Sequence, residues 1–241
     1  AEDVMGEDVV KLAQVKEPEE YLVDDSMIIE PLPEEEAKKV EIVRGPNIKF
    51  LPIPEPPRQH LQVPVSLKGG DNISTDDITP ASAEFSSMRS NIPLMSQYCY
   101  YRYDPDFAAR AKEMGSSIIV AGENYGQGSS REHAAINPMY LGVKAVIAKS
   151  IARIHKGNLI NHGIIPMIFE DCRDYDRIDL LDELEIDNLP DQIRTRTVTV
   201  KDKTKNFTFQ VKLELSGSEM EVVLEGGQLS HLKKQLAGQE E

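Results

Sequence analysis

From Leu61 to Leu67 apolar and polar residues alternate, the period of two that a half-buried β-strand requires. Farther along, element types alternate in turn. Ser117–Ala121 is a continuous apolar run read as a strand, a glycine-rich loop follows, and residues 130–138 predict a helix. A further strand is expected at Ala145–Ala148, a helix over Ser150–His162 stopped at Gly163, and a strand at Ile164–Phe169. Strand–helix–strand–helix–strand with short connections implies parallel strands and right-handed crossovers. Upstream, Asp106–Met114 reads as a helix closed by Gly115. In the C-terminal third, Thr197–Lys201, Phe207–Leu215 and Glu219–Leu224 read as strands and Gln228–Leu236 as a terminal helix. The fold class is therefore mixed α/β: a β-α-β-α-β parallel core with C-terminal antiparallel strands.

Residues 1–57 carry no such pattern. Seven of the 15 prolines fall between Pro31 and Pro57, which favours extended, polyproline-like chain, with a helical turn or two allowed at Glu34–Lys39. Residues 1–41 hold 14 Asp/Glu against 4 Lys/Arg, so −10 of the net −14 belongs to them. The division expected is an acidic, Pro-rich linker or tail over 1–57 and a folded domain over 58–241. The remaining chain is nearly charge-balanced and has no basic stripe, which argues against a nucleic-acid partner. No apolar run approaches the roughly 20 residues of a membrane span, and no signal peptide is visible, so a cytoplasmic location is expected. Cys99 and Cys172 lie far apart without CxxC spacing. They read as reduced thiols, too few to hold an iron–sulfur cluster, and no metal-ligand spacing occurs.

The chemistry concentrates in Gly122-Glu-Asn-Tyr-Gly-Gln-Gly-Ser-Ser-Arg-Glu-His133. Its glycines allow sharp turns and close backbone approach. Ser129 and Ser130 fall where a helix is expected to start, placing hydroxyls and free N–H groups at a positive dipole end, and Arg131 adds a planar fork for a carboxylate. Together these describe a cradle for a small anion. A P-loop is excluded because Ser-Ser-Arg, with no lysine, follows Gly128; the dinucleotide fingerprint fails at its third glycine, where Arg131 stands. Upstream, Gly70-Asp-Asn-Ile-Ser-Thr-Asp-Asp-Ile-Thr-Pro80 is rich in local turn chemistry. Beside an anion loop, Asp76 becomes a candidate proton or hydroxyl partner and Arg89 a second carboxylate fork. His155 and His162 read as packing or capping residues of a helix.

These segments, with Lys149-Ser-Ile-Ala-Arg-Ile-His155, Arg89-Ser-Asn-Ile-Pro93 and Gly157-Asn-Leu-Ile-Asn-His-Gly163, closely resemble the C-terminal swivel domain of the aconitases. The resemblance runs over roughly residues 20–241, with Val23–Ile29 and Gly45–Lys49 similar to the family's interdomain connection. It implies a swivelling β/β/α domain that closes over a 4Fe–4S cluster carried by domains outside this chain. By match to the motif, Ser129 becomes the catalytic base, with Asp76 at the rim of the site. Arg89, Ser130 and Arg131 become binders of substrate carboxylate, with Glu132 and His133 as supports behind them. The implied reaction interconverts citrate and isocitrate through cis-aconitate, and the implied partners are cluster-bearing domains in cis or a large subunit in trans. Alternatives are the small subunit of a two-chain isopropylmalate or homoaconitate isomerase, favoured less because those typically lack Arg89's counterpart, or a non-catalytic binding module. Asp77 departs from the family pattern, which has His there. The isolated chain is expected to be inactive.

Overall fold

The computed structural model describes residues 18–238; the start of the acidic segment, residues 1–17, lies outside the described residues. The chain divides into two compact units, one ending at Arg44 and one starting at Gly45. In the first unit the described residues are exposed, and one helical turn, α1 (Glu34–Ala37), is the regular element among them.

The second unit contains β1 (Leu61–Lys68), then α2 (Thr75–Ile78), α3 (Ala83–Ser86), α4 (Ile92–Met95) and α5 (Phe107–Met114). There follow β2 (Ser117–Ala121), α6 (His133–Tyr140), β3 (Val143–Ala148), α7 (Arg153–Asn161) and β4 (Ile165–Phe169). The remainder is β5 (Glu183–Ile186), α8 (Leu189–Thr195), β6 (Thr197–Asp202), β7 (Phe207–Lys212), α9 (Gly217–Leu224) and α10 (Gln228–Ala237). The strands close into a barrel in the order β1-β2-β3-β4-β7-β6-β5. The first four run parallel, with Ile119 opposite Val146 and Ile147 opposite Met167. Antiparallel pairing through β7, β6 and β5 completes the circle, and Leu61 opposite Ile186 joins β5 back to β1.

The pattern of burial follows from that topology. Parallel strands joined by crossover helices are covered on both faces, which is why β2 and β3 read as continuous apolar runs. Ile118, Val120, Ala145 and Ile147 pack into a core shared with the antiparallel strands. Their neighbours Ile119, Ala121, Val146 and Ala148 face a second core with Phe107, Ala134, Ala135 and Leu159. In β6, only Val198, Val200 and Asp202 are buried, so that strand alternates with solvent.

Three expectations need correction. Glu219–Leu224 is not a strand but part of α9. Ser216 caps it in a reciprocal box, accepting from Glu219 N–H at 3.2 Å while Glu219 accepts from Ser216 N–H at 2.7 Å. The helix expected at residues 130–138 begins at His133; before it, the Ser129 carbonyl accepts from the Thr75 hydroxyl at 3.1 Å in place of a helical N–H. The helix expected from Ser150 begins at Arg153, since residues 150–152 run extended alongside Tyr125: Tyr125 N–H donates to Ser150 O and Ala152 N–H to Tyr125 O.

Candidate functional site

The loops leaving the carboxyl ends of β1, β2 and β3 meet, and this edge of a parallel sheet is where α/β proteins present ligand sites. The β1 and β2 loops are zipped together backbone to backbone. Gly122 N–H donates to Gly70 O (3.1 Å), Asn72 N–H to Glu123 O (2.7 Å), Gly126 N–H to Ile73 O (2.7 Å) and Thr75 N–H to Gln127 O (2.8 Å). From the other side Ser150 holds Asn124, its hydroxyl accepting the Asn124 N–H at 2.7 Å. The glycine loop is thus a fixed structure.

Gly126 is at φ +78°, and a Cβ there would stand 2.1 Å from the His155 ring. Both facts demand glycine. His155 is 1% exposed, lies edge-on to Tyr125 and finds no partner for either ring nitrogen. Burial holds its pKa down at about 4, so the ring is neutral and acts as packing under the loop. His162 is the C-cap residue of α7, and burial lowers its pKa as well, with Glu132 opposing and His133 adding to the shift. Both histidines therefore have the packing and capping places that the sequence suggests.

Beyond Gly128 the loop opens onto a cavity of about 570 Å³, whose lining includes Arg89, Ser129, Ser130, Arg131, Glu132 and His133. All six were singled out in the sequence. The Ser129 and Ser130 side chains are exposed and make no hydrogen bond among the described residues. The N–H groups of Glu132 and His133, at the start of α6, likewise find no acceptor among the described residues. Free hydroxyls and free N–H donors converge on one space, as an anion site requires.

Asp76 is not on the cavity wall but behind it. Its carboxylate grips Arg131 with both oxygens, Nη1 at 2.5 Å and Nη2 at 3.1 Å, so the guanidinium is oriented before any ligand arrives. Arg89 is exposed, its guanidinium 3.5 Å from Ala81 O. Its own carbonyl accepts from His133 Nε2 at 2.9 Å, which ties the Arg89 segment to the loop. Asp77, where the resemblance leads one to expect His, turns away from the cavity. Its carboxylate accepts from Ser74 N–H (2.8 Å) and Ser74 Oγ (2.6 Å) and completes the N-terminal box of α2.

Sequence reasoning missed Thr75 and Thr79. Both are 1% exposed, and their hydroxyls donate to Ser129 O (3.1 Å) and His133 O (3.2 Å). Asn137 donates to the Thr79 hydroxyl in turn, at 3.2 Å. The available signal was the pair of threonines four apart, flanking Asp76, on one turn.

Cys99 is buried and Cys172 exposed, and no group of three or more His, Cys, Asp or Glu among the described residues is arranged to hold a metal. These residues do not fit an iron–sulfur cluster. No described helix is long and apolar enough to cross a membrane.

A family profile described as the aconitase C-terminal domain matches residues 94–172. A putative mitochondrial aconitate hydratase of Emericella nidulans is 33% identical over 77% of this chain, which spans 26% of that protein. The small subunit 2 of 3-isopropylmalate dehydratase from Archaeoglobus fulgidus is 40% identical, over 69% of this chain and 92% of that one. Among solved structures, a 3-isopropylmalate dehydratase chain from Methanocaldococcus jannaschii superposes with a TM-score of 0.62 at 34% identity, covering 75% of this chain and 98% of that one. The chain thus spans about a quarter of the length of the fungal hydratase and nearly all of a small subunit.

Proposed function

Because the chain belongs to the aconitase and isopropylmalate isomerase family, we propose that it is the swivel half of a hydro-lyase acting on citrate and isocitrate through cis-aconitate. In this reading it supplies the base and the carboxylate clamps, while a 4Fe–4S cluster belongs to domains in cis or a large subunit in trans. The observation that carries it is the cavity where Ser129, Ser130, Arg131 and Arg89 share one wall.

The chemistry assigned to this chain is binding, orientation and movement of one proton. Arg131, held in orientation by Asp76, and Arg89 take two carboxylates of a tricarboxylic acid. Ser129 Oγ, as the alkoxide, removes the proton from the carbon next to a carboxylate; the C–H electrons become the new double bond as the neighbouring C–O bond breaks and its electron pair leaves with hydroxide, which the cluster-bearing half would take up. A serine is a poor base unless its negative charge is stabilised. The Arg131 guanidinium and the free N–H groups at the start of α6 provide that field, strengthened once closure excludes water.

A second reading is favoured by the 92% coverage of the Archaeoglobus small subunit: a small subunit for a malate-type isomerase. Two guanidiniums in one cavity favour the tricarboxylate. The test is to pair the chain with cluster-bearing domains or a large subunit of a relative and compare substrates. The expected result is dehydration of isocitrate at least tenfold faster than of isopropylmalate; the reverse preference establishes the small-subunit reading.

A further inference from the structure

The residues that face the cavity are held from behind by one short element. Ser129, Arg131 and His133 alternate along the loop, and each is gripped from α2 or its C-cap: Ser129 O by the Thr75 hydroxyl, the Arg131 guanidinium by Asp76, His133 O by the Thr79 hydroxyl. The grips reach across 54 or 55 positions of sequence. Around the Ser129 carbonyl the consequences are specific. The carbonyl accepts from the Thr75 hydroxyl and not from His133 N–H, the bond that an earlier start of the helix makes. Helix α6 begins at His133, the Glu132 and His133 N–H groups have no acceptor among the described residues, and Ser129 Oγ lies outside the helix with no hydrogen bond of its own among them. Thr75 is itself fixed, because its N–H donates to Gln127 O at 2.8 Å and the Ser74–Asp77 box starts its helix.

We propose that Thr75 is a positioning residue for Ser129: its buried hydroxyl keeps residues 129–132 unwound and presents the serine to the cavity. The inference rests on the assignment of Ser129 as base, and Thr79 serves the same end at the next turn. Thr75 touches no substrate. It acts through the loop, where a displacement of about 1 Å at the reacting atom is enough to cost on the order of a hundredfold in rate.

The experiment compares Thr75→Val, which keeps the shape and removes the donor, with Thr75→Ser, which keeps the donor. In the full chain, amide hydrogen exchange reads the loop directly. Thr75→Val is expected to change exchange at Ser129–Ala134 by at least tenfold while β2, β3 and β6 keep their protection; Thr75→Ser leaves both as they are. In the assembled enzyme, Thr75→Val is expected to lower kcat at least tenfold with KM within about twofold, and Thr75→Ser to restore it. Unchanged exchange at Ser129–Ala134 in the valine variant overturns the proposal, as does a serine variant as damaged as the valine one. If Ser129→Ala keeps full kcat, the base assignment fails; the exchange data then still report whether Thr75 holds the loop.

Discussion

His133 Nε2 lies 2.9 Å from the carbonyl oxygen of Arg89. A carbonyl only accepts, so Nε2 carries the proton and Nδ1 holds the lone pair whenever this ring is neutral. One imidazole thereby fixes the register between the anion loop and the segment that bears the second guanidinium. Loss of such a bond is worth about 1 kcal/mol, or roughly fivefold in an equilibrium. His133→Ala is expected to raise KM several-fold with a smaller effect on kcat, and nitrogen NMR of the wild-type chain to show the Nε2–H tautomer. An Nδ1–H signal for His133 contradicts the arrangement.

The serine and the arginines should separate cleanly in kinetics. In the assembled enzyme, Ser129→Ala removes only the proton acceptor, so kcat is expected to fall by roughly 10²–10⁴-fold with KM little changed. Arg89→Gln removes a charge-assisted clamp on the bound substrate, and loss of such a hydrogen bond costs on the order of 1.5–3 kcal/mol. KM should rise with it. Steady-state kinetics of both variants decide the matter: a serine variant with wild-type kcat removes Ser129 from its role.

Stability should fall in mild acid because of His155. Its folded pKa is about 4 against an ordinary value near 6.5, so the unfolded chain takes up the proton first. The stabilising contribution is fully present above about pH 6.5 and is lost as pH falls toward 4, amounting to about 3 kcal/mol. His162, also shifted down by burial, acts in the same direction. Urea midpoints measured from pH 7.5 to 4 should fall through this window, and His155→Leu should flatten part of the slope. An equal slope in that variant excludes His155 as the source.

Gly126→Ala tests the seat of the loop. The new Cβ meets the His155 ring at 2.1 Å and must also adopt φ +78°. The left-handed conformation alone costs roughly 1–2 kcal/mol, and the collision adds to it. A fall in melting temperature of more than about 5 °C is expected, with only partial recovery in Gly126→Ala/His155→Ala because the backbone cost persists.

Legibility in the sequence followed the range of the interactions involved. Leu61–Leu67, Ser117–Ala121 and the Asp106–Met114 helix with its Gly115 stop were readable because period and capping are local; the residues of the anion loop were too. Helix α9 was misread because Met220, Val222 and Leu224 mimic strand alternation, although Ser216 and Glu219 announced its start. Barrel closure was not readable. It depends on pairing Leu61 with Ile186 across the whole domain, and the short Glu-Leu-Glu-Ile strand carries little signal alone. Thr75 and Thr79 escaped notice for the same reason: their partners lie 54 residues away.

Closure of the sheet has one more consequence. A β-sheet with a free edge invites another strand, and many complexes, along with many aggregates, form by that addition. With β5 returned to β1, every strand of this barrel already has a neighbour on each side. Strand addition is therefore closed to anything that assembles with the domain, which leaves side-chain surfaces, among them the loop edge carrying Arg89 and Ser129, to meet it.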